Sequence, residues 1–315
     1  MMEKKVRWGV LGNAWIARDF MIPALEKSEI CELAAVASRG KFPAQIAPNA
    51  VHYDSYEALL ADPTIEAVYV PTPNALHKKW TIAALEAGKH VLCEKPISCT
   101  AAEAEEMIAA TEKSGKFLME AFMYRYGGKF RKMMEILESG VLGKIKAVQG
   151  SHGYTLDWAS PAREDPALGG GCLYDVGCYV VDCMNAVAKQ QGGKLLDAKA
   201  LTMGSPVDYH AAATLSYDCG ILGVLESWFD AAQEQRVLIA GEKGTLCIPM
   251  IFEGGGGEMY LNVGGATETI TVPHADPYQL EAEAMSRAIL GIENDLMPLE
   301  DTLANMQTLD KLYNR

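Results

Sequence analysis

Val6-Arg7-Trp8-Gly9-Val10-Leu11-Gly12-Asn13-Ala14-Trp15-Ile16-Ala17 is an apolar run that stops on a glycine and opens directly into a helical pattern. A strand, a glycine turn and a helix in that order mark the place where a dinucleotide site carries G-x-G-x-x-G/A. Gly12 supplies the tight turn, and the small Ala17 lets the helix close on the strand. The helix start offers unpaired backbone amides and the positive end of its dipole to a pyrophosphate. Asn13, Ala14, Trp15 and Ile16 fill the turn and join Gly12 as candidate cofactor contacts. Ala14 departs from the motif, because its methyl stands where the backbone of a second glycine comes closest to the phosphates.

Outward from this turn, short apolar runs alternate with helical patterns as far as residue 121, the signature of β-α-β units on a parallel sheet. Strands are expected at 6–11, 31–37, 67–70, 90–93 and 117–121, with helices at 16–27, 55–60, 75–87 and 101–114. Asn74 can cap the 75–87 helix and Gly88 end it, while Thr100 with Glu103 forms a capping box for 101–114, which Gly115 closes. After a helix at 131–138 the texture changes to longer alternating segments at 145–152, 195–202, 209–217, 221–229, 235–240, 245–249, 259–263 and 269–272. Turns such as Asp218-Cys219-Gly220 and Glu242-Lys243-Gly244 suit antiparallel neighbours. Within this block Val176, Tyr179, Val180, Cys183, Met184 and Val187 recur at helical spacing, and helices at 278–290 and 299–313 finish the chain.

At about 150 residues per domain, a chain of 315 residues divides into two. The expected class is α/β: a Rossmann, doubly wound parallel sheet over residues 1–122, then an α+β domain with a large, mainly antiparallel open sheet over residues 123–315. The C-terminal helix is placed to pack back on the first domain.

The end of the second strand selects between dinucleotides. A site for NAD puts an acidic residue there to grip the ribose 2′-hydroxyl, whereas this chain reads Ala37-Ser38-Arg39-Gly40-Lys41. A hydroxyl and two cations suit a 2′-phosphate, and a guanidinium both forks onto phosphate and stacks on adenine. Ser38 and Arg39 are therefore candidate contacts, and NADP is preferred over NAD.

Composition narrows the rest. Apolar residues at 49% and charged residues at 22% suit an ordinary globular protein, and a net charge of −13 opposes general binding to nucleic acid. The eight cysteines contain no C-x-x-C pair, and no His/Cys/Asp cluster has the spacing of a metal site, so none is expected. No apolar run approaches about 18 residues, which speaks against a membrane partner. A reduced, cytoplasmic protein is the expectation.

Three further segments converge on one chemistry. They are Val70-Pro71-Thr72-Pro73-Asn74-Ala75-Leu76-His77, Cys93-Glu94-Lys95-Pro96, and Gly169-Gly170-Gly171-Cys172-Leu173-Tyr174-Asp175-Val176-Gly177-Cys178-Tyr179. Together they resemble the Gfo/Idh/MocA oxidoreductase family. Met119-Glu120-Ala121-Phe122-Met123-Tyr124-Arg125 and Tyr278-Gln279-Leu280-Glu281-Ala282-Glu283 are similar to its glucose-fructose oxidoreductase and dihydrodiol dehydrogenase branch. The resemblance implies that Lys95, Asp175 and Tyr179 carry the chemistry. It also implies that the second domain binds substrate and forms a homodimer through its sheet.

Elementary chemistry points to the same residues. Asp175 and Tyr179 are four apart on one helix and share a face, and Pro96 biases Lys95 toward extended backbone at a strand end, where open α/β sheets bind ligands. Hydride transfer from a carbinol needs a proton acceptor, and an ammonium near a tyrosine favours phenolate. On this reading Tyr179 exchanges the proton, Lys95 orients the substrate oxygen and tunes Tyr179, and Asp175 holds substrate or lysine.

Pro71, Thr72, Asn74 and His77 are further candidate cofactor contacts, although Asn74 reads equally as a helix cap and His77 as a first-turn surface residue. Glu94 is a candidate for the nicotinamide ribose. Trp158 and Arg163 precede the glycine run and are candidates for cofactor or substrate. Tyr126-Gly127-Gly128 replaces the branch's usual aromatic-His-Pro, which puts substrate shape outside the resemblance.

The leading expectation is an NADP-dependent oxidoreductase acting on a secondary hydroxyl or carbonyl of a sugar or polyol. A non-sugar dihydrodiol or carbonyl substrate, and a catalytically silent NADP-sensing regulator, are the alternatives.

Overall fold

The computed structural model describes residues 4–38, 40 and 45–315. The opening stretch forms strand β1 (Val6–Leu11), in which Val6, Trp8, Val10 and Leu11 are fully buried. Beside it lie β2 (Cys31–Ala37), β3 (Val51–Tyr53), β4 (Ala67–Val70), β5 (His90–Glu94) and β6 (Leu118–Ala121). All pair in parallel, in the order β3-β2-β1-β4-β5-β6. The sheet is the doubly wound parallel sheet expected from the β-α-β pattern. Its strands are apolar runs because parallel sheets are covered on both faces, and β4 is buried at every position.

The strand order reverses between β1 and β4, and in doubly wound sheets ligands bind at the carboxyl ends of the strands flanking such a reversal. The chain up to Ala121, joined by Tyr278–Thr302, makes one compact unit. Trp8 on β1 donates its ring N–H to Ser286 at 3.1 Å, and Phe20 packs on Tyr278 at 5.0 Å, so the helix Pro277–Leu290 seals the first sheet from a distant part of the sequence.

Three local expectations change. The helix predicted over 16–27 opens with a π-helical turn, Ala17–Met21, before regular α-helix at Ile22–Lys27. The helix predicted over 75–87 begins as a 3-10 turn, Asn74–Leu76, and becomes α-helical at His77–Glu86. Pro73 stands at the N-cap of that turn, and Asn74 is the turn's first residue. The short edge strand β3 is a further element, too short for alternation to reveal. By contrast Thr100 caps Ala101–Ser114 by accepting from the Glu103 amide, and Gly115 ends that helix at φ 64°.

The second unit comprises Phe122–Pro277 and Leu303–Arg315. Its sheet has eight strands: β7 (Ile145–Gly153), β8 (Leu195–Met203), β9 (His210–Tyr217), β10 (Leu222–Trp228), β11 (Glu234–Gly241), β12 (Gly244–Pro249), β13 (Gly257–Val263) and β14 (Ala266–Val272). Their order is β14-β13-β12-β11-β7-β10-β9-β8, antiparallel throughout except for the parallel pair β7 and β10. This is the large, mainly antiparallel open sheet of the expected α+β domain.

One face of this sheet is packed. Ala213, Leu215, Leu225, Val237 and Ile239 are buried, and the helix Cys178–Gln190 lies so close that a Cβ on Gly150 would meet Val180 at 2.4 Å. The opposite face exposes Leu201 (82%), Met203 (74%), Leu222 (62%) and Val224 (45%). Register places Leu201 opposite Ala212 and Val224 opposite Thr214, so these apolar groups share one surface across three strands. No helix among the described residues is long and apolar enough to cross a membrane.

Candidate active site

In the first unit the β1 turn sits at the reversal of strand order. Gly12 has φ +133°, a region closed to side-chain-bearing residues, and its amide donates to Ala37 at the end of β2. The carbonyl of Ala14 accepts from the amides of Ala17 and Arg18 at 3.1 Å each, so Ala14 opens the helix and Trp15 and Ile16 lie in its first turn. Trp15 is 43% exposed and meets Phe20 edge-on. The Pro71 ring, just past β4, lies 3.9 Å from where a Gly12 Cβ would stand. Ser38 follows β2 and accepts from the Gly40 amide at 3.2 Å, while Arg39 lies outside the described residues.

Two polar atoms at this reversal find no partner among the described residues. Asn13 Oδ1 and Thr72 Oγ1 are shielded from solvent and make no hydrogen bond. A buried polar atom left unpaired costs about 1–3 kcal/mol, and two beside one glycine turn fit a polar ligand that supplies their partners. The residues present therefore suit a bound dinucleotide.

His77 is fully buried, not a first-turn surface residue. Its Nδ1 faces the Pro96 carbonyl at 2.9 Å and its Nε2 the Thr72 carbonyl at 2.7 Å, so both ring nitrogens are spent inside the protein. Burial, reinforced by the charge of Lys95, pushes its pKa down to about 4 against the pull of the two carbonyls. The neutral ring donates to one of those carbonyls and only packs against the other. His77 ties the loop after β4 to the loop after β5, and no ring nitrogen is left for a cofactor.

Lys95 directly follows β5. Glu94, the last residue of that strand, accepts from the Tyr69 hydroxyl and, through Oε2, from the Lys95 amide at 3.3 Å. Glu120 accepts from the Ile97 amide at 2.9 Å and holds the loop from its other end. Glu281, on the returning helix, is buried with Oε1 unpaired, and burial followed by the Glu94 charge raises its pKa well above the usual carboxyl range. Burial thus favours the neutral, protonated form of Glu281.

In the second unit, a π-helical turn (Leu173–Gly177) that holds Asp175 runs into the helix Cys178–Gln190, whose first turn holds Tyr179. Single π turns concentrate at functional sites. Asp175 Oδ2 accepts from the Tyr154 hydroxyl at 2.7 Å and from Arg163 Nε at 2.9 Å. Burial works against the Arg163 charge, but the Asp175 carboxylate more than offsets it and holds the guanidinium firmly protonated. Arg163 is therefore the clamp on Asp175. Trp158, 49% exposed, stacks on Tyr154 at 5.7 Å.

Tyr179 is buried among Phe122, Tyr124, His152 and Phe252, with ring centroids at 5.3, 5.8, 5.2 and 5.7 Å. Beneath this cage Asp182, fully buried, pairs with Arg125 through two hydrogen bonds and also accepts from Tyr124 and Asn305. Asp175 and Tyr179 belong to the second unit and Lys95 to the first. Tyr154, Asp182, Glu120 and Glu281 carried no expected role from sequence, although Glu120 and Glu281 lie in two of the segments that resemble the family. Nothing in their local spacing distinguishes them, because their partners are remote.

A dinucleotide fold joined to an antiparallel-sheet unit with an acid and a phenol at one helix start defines a nicotinamide-dependent oxidoreductase acting on CH–OH or carbonyl groups. The chain belongs to the Gfo/Idh/MocA family. The model of the oxidoreductase family with a NAD-binding Rossmann fold matches residues 6–122, and that of the GFO/IDH/MocA C-terminal domain matches residues 130–247. The chain is 35% identical to D-xylose 1-dehydrogenase (NADP(+)) 2 of Haloferax volcanii, over 97% of this chain and 96% of that one. It is 29% identical to the trans-1,2-dihydrobenzene-1,2-diol dehydrogenase of Xenopus laevis, over 94% and 93%. The structure of a 3-ketoreductase from Actinomadura kijaniata, in complex with NADP and TDP-benzene, superposes with TM-score 0.89 at 27% identity, covering 99% of this chain and 98% of the other.

Proposed function

We propose that this chain is an NADP-dependent oxidoreductase that moves a hydride between nicotinamide and a secondary hydroxyl or carbonyl of a sugar or polyol. The observation that carries the cofactor half is the pair of unpaired buried atoms, Asn13 Oδ1 and Thr72 Oγ1, at the reversal of strand order. Gly12, Ala14, Trp15, Ile16, Pro71, Asn74 and Glu94 complete the set that would hold the dinucleotide, and Ser38 with Arg39 the 2′-phosphate. The choice of NADP is supported by the xylose dehydrogenase and 3-ketoreductase relatives, whose names carry that cofactor. The xylose dehydrogenase relative also supports a sugar substrate.

Bound nicotinamide supplies the hydride acceptor or donor. Tyr179 exchanges the hydroxyl proton with the substrate oxygen, and Lys95 orients that oxygen and favours the phenolate. Asp175, fixed by Tyr154 and Arg163, orients a substrate hydroxyl. The first unit is the cofactor domain, and the second binds substrate and pairs with a second copy through its open apolar face. The dihydrodiol dehydrogenase relative supports a second substrate class, a non-sugar diol.

A panel of aldoses, polyols and dihydrodiols, assayed with NADPH, NADP, NADH and NAD, identifies the substrate. Removing a positioned acid–base group costs about 10²–10⁴-fold, so Tyr179→Phe and Lys95→Met are each expected to lower kcat at least about 100-fold. Near-normal turnover in either variant removes that residue's role. NADPH binding without turnover of any compound in the panel marks the chain as a nucleotide sensor instead.

A further inference from the structure

We propose that Asp208 is a positioning residue for the reaction, gripping the turn that launches the Asp175 and Tyr179 helix while Tyr313 completes the grip. The inference rests on the roles given above to Asp175 and Tyr179.

Asp208 is buried, just ahead of β9 and far in sequence from the helix it serves. Its Oδ2 accepts from the Leu173 amide at 2.7 Å and from Cys172 Sγ at 3.2 Å. Its own carbonyl accepts from the Cys172 amide at 2.8 Å. Three bonds thus fix the two residues before Tyr174 and Asp175 to one side chain and its backbone. Gly171 makes room for the carboxylate: it has φ +121°, and a Cβ there would stand 2.2 Å from Asp208 Oδ1.

The remaining oxygen, Oδ1, accepts from the Tyr313 hydroxyl at 2.9 Å. The Tyr313 ring packs on Tyr174 at 4.7 Å, so it touches both the anchor and the anchored turn. Burial, then the Asp208 charge, push the Tyr313 hydroxyl well above the usual phenol range, which keeps it a donor. A helix start contributes unpaired amides, and an internal carboxylate that takes one of them fixes both the position and the rotation of the first turn. Since Asp175 lies two residues beyond Leu173, any slip in this grip moves the acid directly.

The test compares Asp208→Asn, Asp208→Ala and Tyr313→Phe in the full-length protein. Asparagine keeps an acceptor for the Leu173 amide, and its NH₂ can donate to the Tyr313 oxygen. A misplacement of about 1 Å costs about 100-fold in rate. Asp208→Ala is therefore expected to lower kcat at least about 30-fold, Tyr313→Phe about 3-fold or more, and Asp208→Asn to stay within about 3-fold of the wild type. NADPH affinity, read by fluorescence, is expected to stay within about 2-fold in all three, because the anchor acts on the turn and leaves the dinucleotide site alone. Hydrogen–deuterium exchange over residues 171–180 is expected to rise in the alanine and phenylalanine variants and not in the asparagine one.

Unchanged exchange in the alanine and phenylalanine variants overturns the grip, and faster exchange with wild-type kcat overturns its consequence for the reaction. An asparagine variant as slow as alanine shows that the charge matters, not the anchoring. Should alanine fail to fold, Tyr313→Phe and Asp208→Asn still decide. Activity of Tyr179→Phe, measured alongside, separates failure of the proposed reaction from failure of this anchor.

Discussion

Asp182→Ala removes a buried acceptor shared by three side chains. The carboxylate is fully buried and takes four hydrogen bonds: Tyr124 Oη at 2.5 Å, Arg125 Nε at 2.8 Å, Arg125 Nη2 at 2.6 Å and Asn305 Nδ2 at 2.6 Å. With only 10% of its side chain exposed, Arg125 cannot carry its charge to water when the partner is lost. Breaking one side of a buried ion pair costs about 3–5 kcal/mol. At about 2–4 °C per kcal/mol for a unit of this size, the melting transition of the variant is expected roughly 6–20 °C lower.

Arg125→Met combined with Asp182→Leu removes both charges together and is expected to recover most of that loss, since a buried pair of hydrophobic residues is often as stable as the ion pair it replaces. Calorimetry on Arg125→Met, Asp182→Leu and the double closes the cycle. An Asp182→Ala melting point within about 2 °C of wild type, or a double variant as unstable as the sum of the singles, refutes the reasoning. Because Tyr124 also packs against Tyr179 at 5.8 Å, kcat of the alanine variant is expected to fall even well below its melting temperature.

Two buried groups give stability opposite pH slopes. His77, held neutral with a pKa of about 4, contributes stability that is present above the unfolded value of about 6.5 and is lost as pH falls toward 4, worth about 3 kcal/mol over that window. Glu281, with its pKa raised, contributes stability that is complete below the unfolded carboxyl pKa and is lost as pH rises. Glu281→Gln is therefore expected to melt above wild type at pH 7–8, with the gap closing toward pH 4; a gap that does not change with pH overturns the neutral-acid assignment.

For the open sheet face, wild type at micromolar concentration is expected to sediment at twice 34.1 kDa, and Leu201→Glu with Leu222→Glu at 34.1 kDa. A wild-type monomer rules out the face as a self-association surface.

Sequence alone determined the elements and the likeness. Strands β1, β2 and β4 were legible as short apolar runs, and the second block as alternating segments, because one or two buried faces impose a period on the chain. Gly12 and the Lys95, Asp175 and Tyr179 motifs were legible too, since a tight turn and a short motif are written in consecutive residues.

Tertiary structure alone decided what those residues touch. Tyr124 reaches Asp182 across 58 positions, Asp208 reaches Leu173 across 35, and Tyr313 reaches Asp208 across 105. It turned His77 from a surface residue into an internal tie, and gave Arg163 a hydrogen bond to Asp175. A buried charge or hydroxyl must find a partner wherever the fold brings one, and no period or motif in the local sequence records where that is.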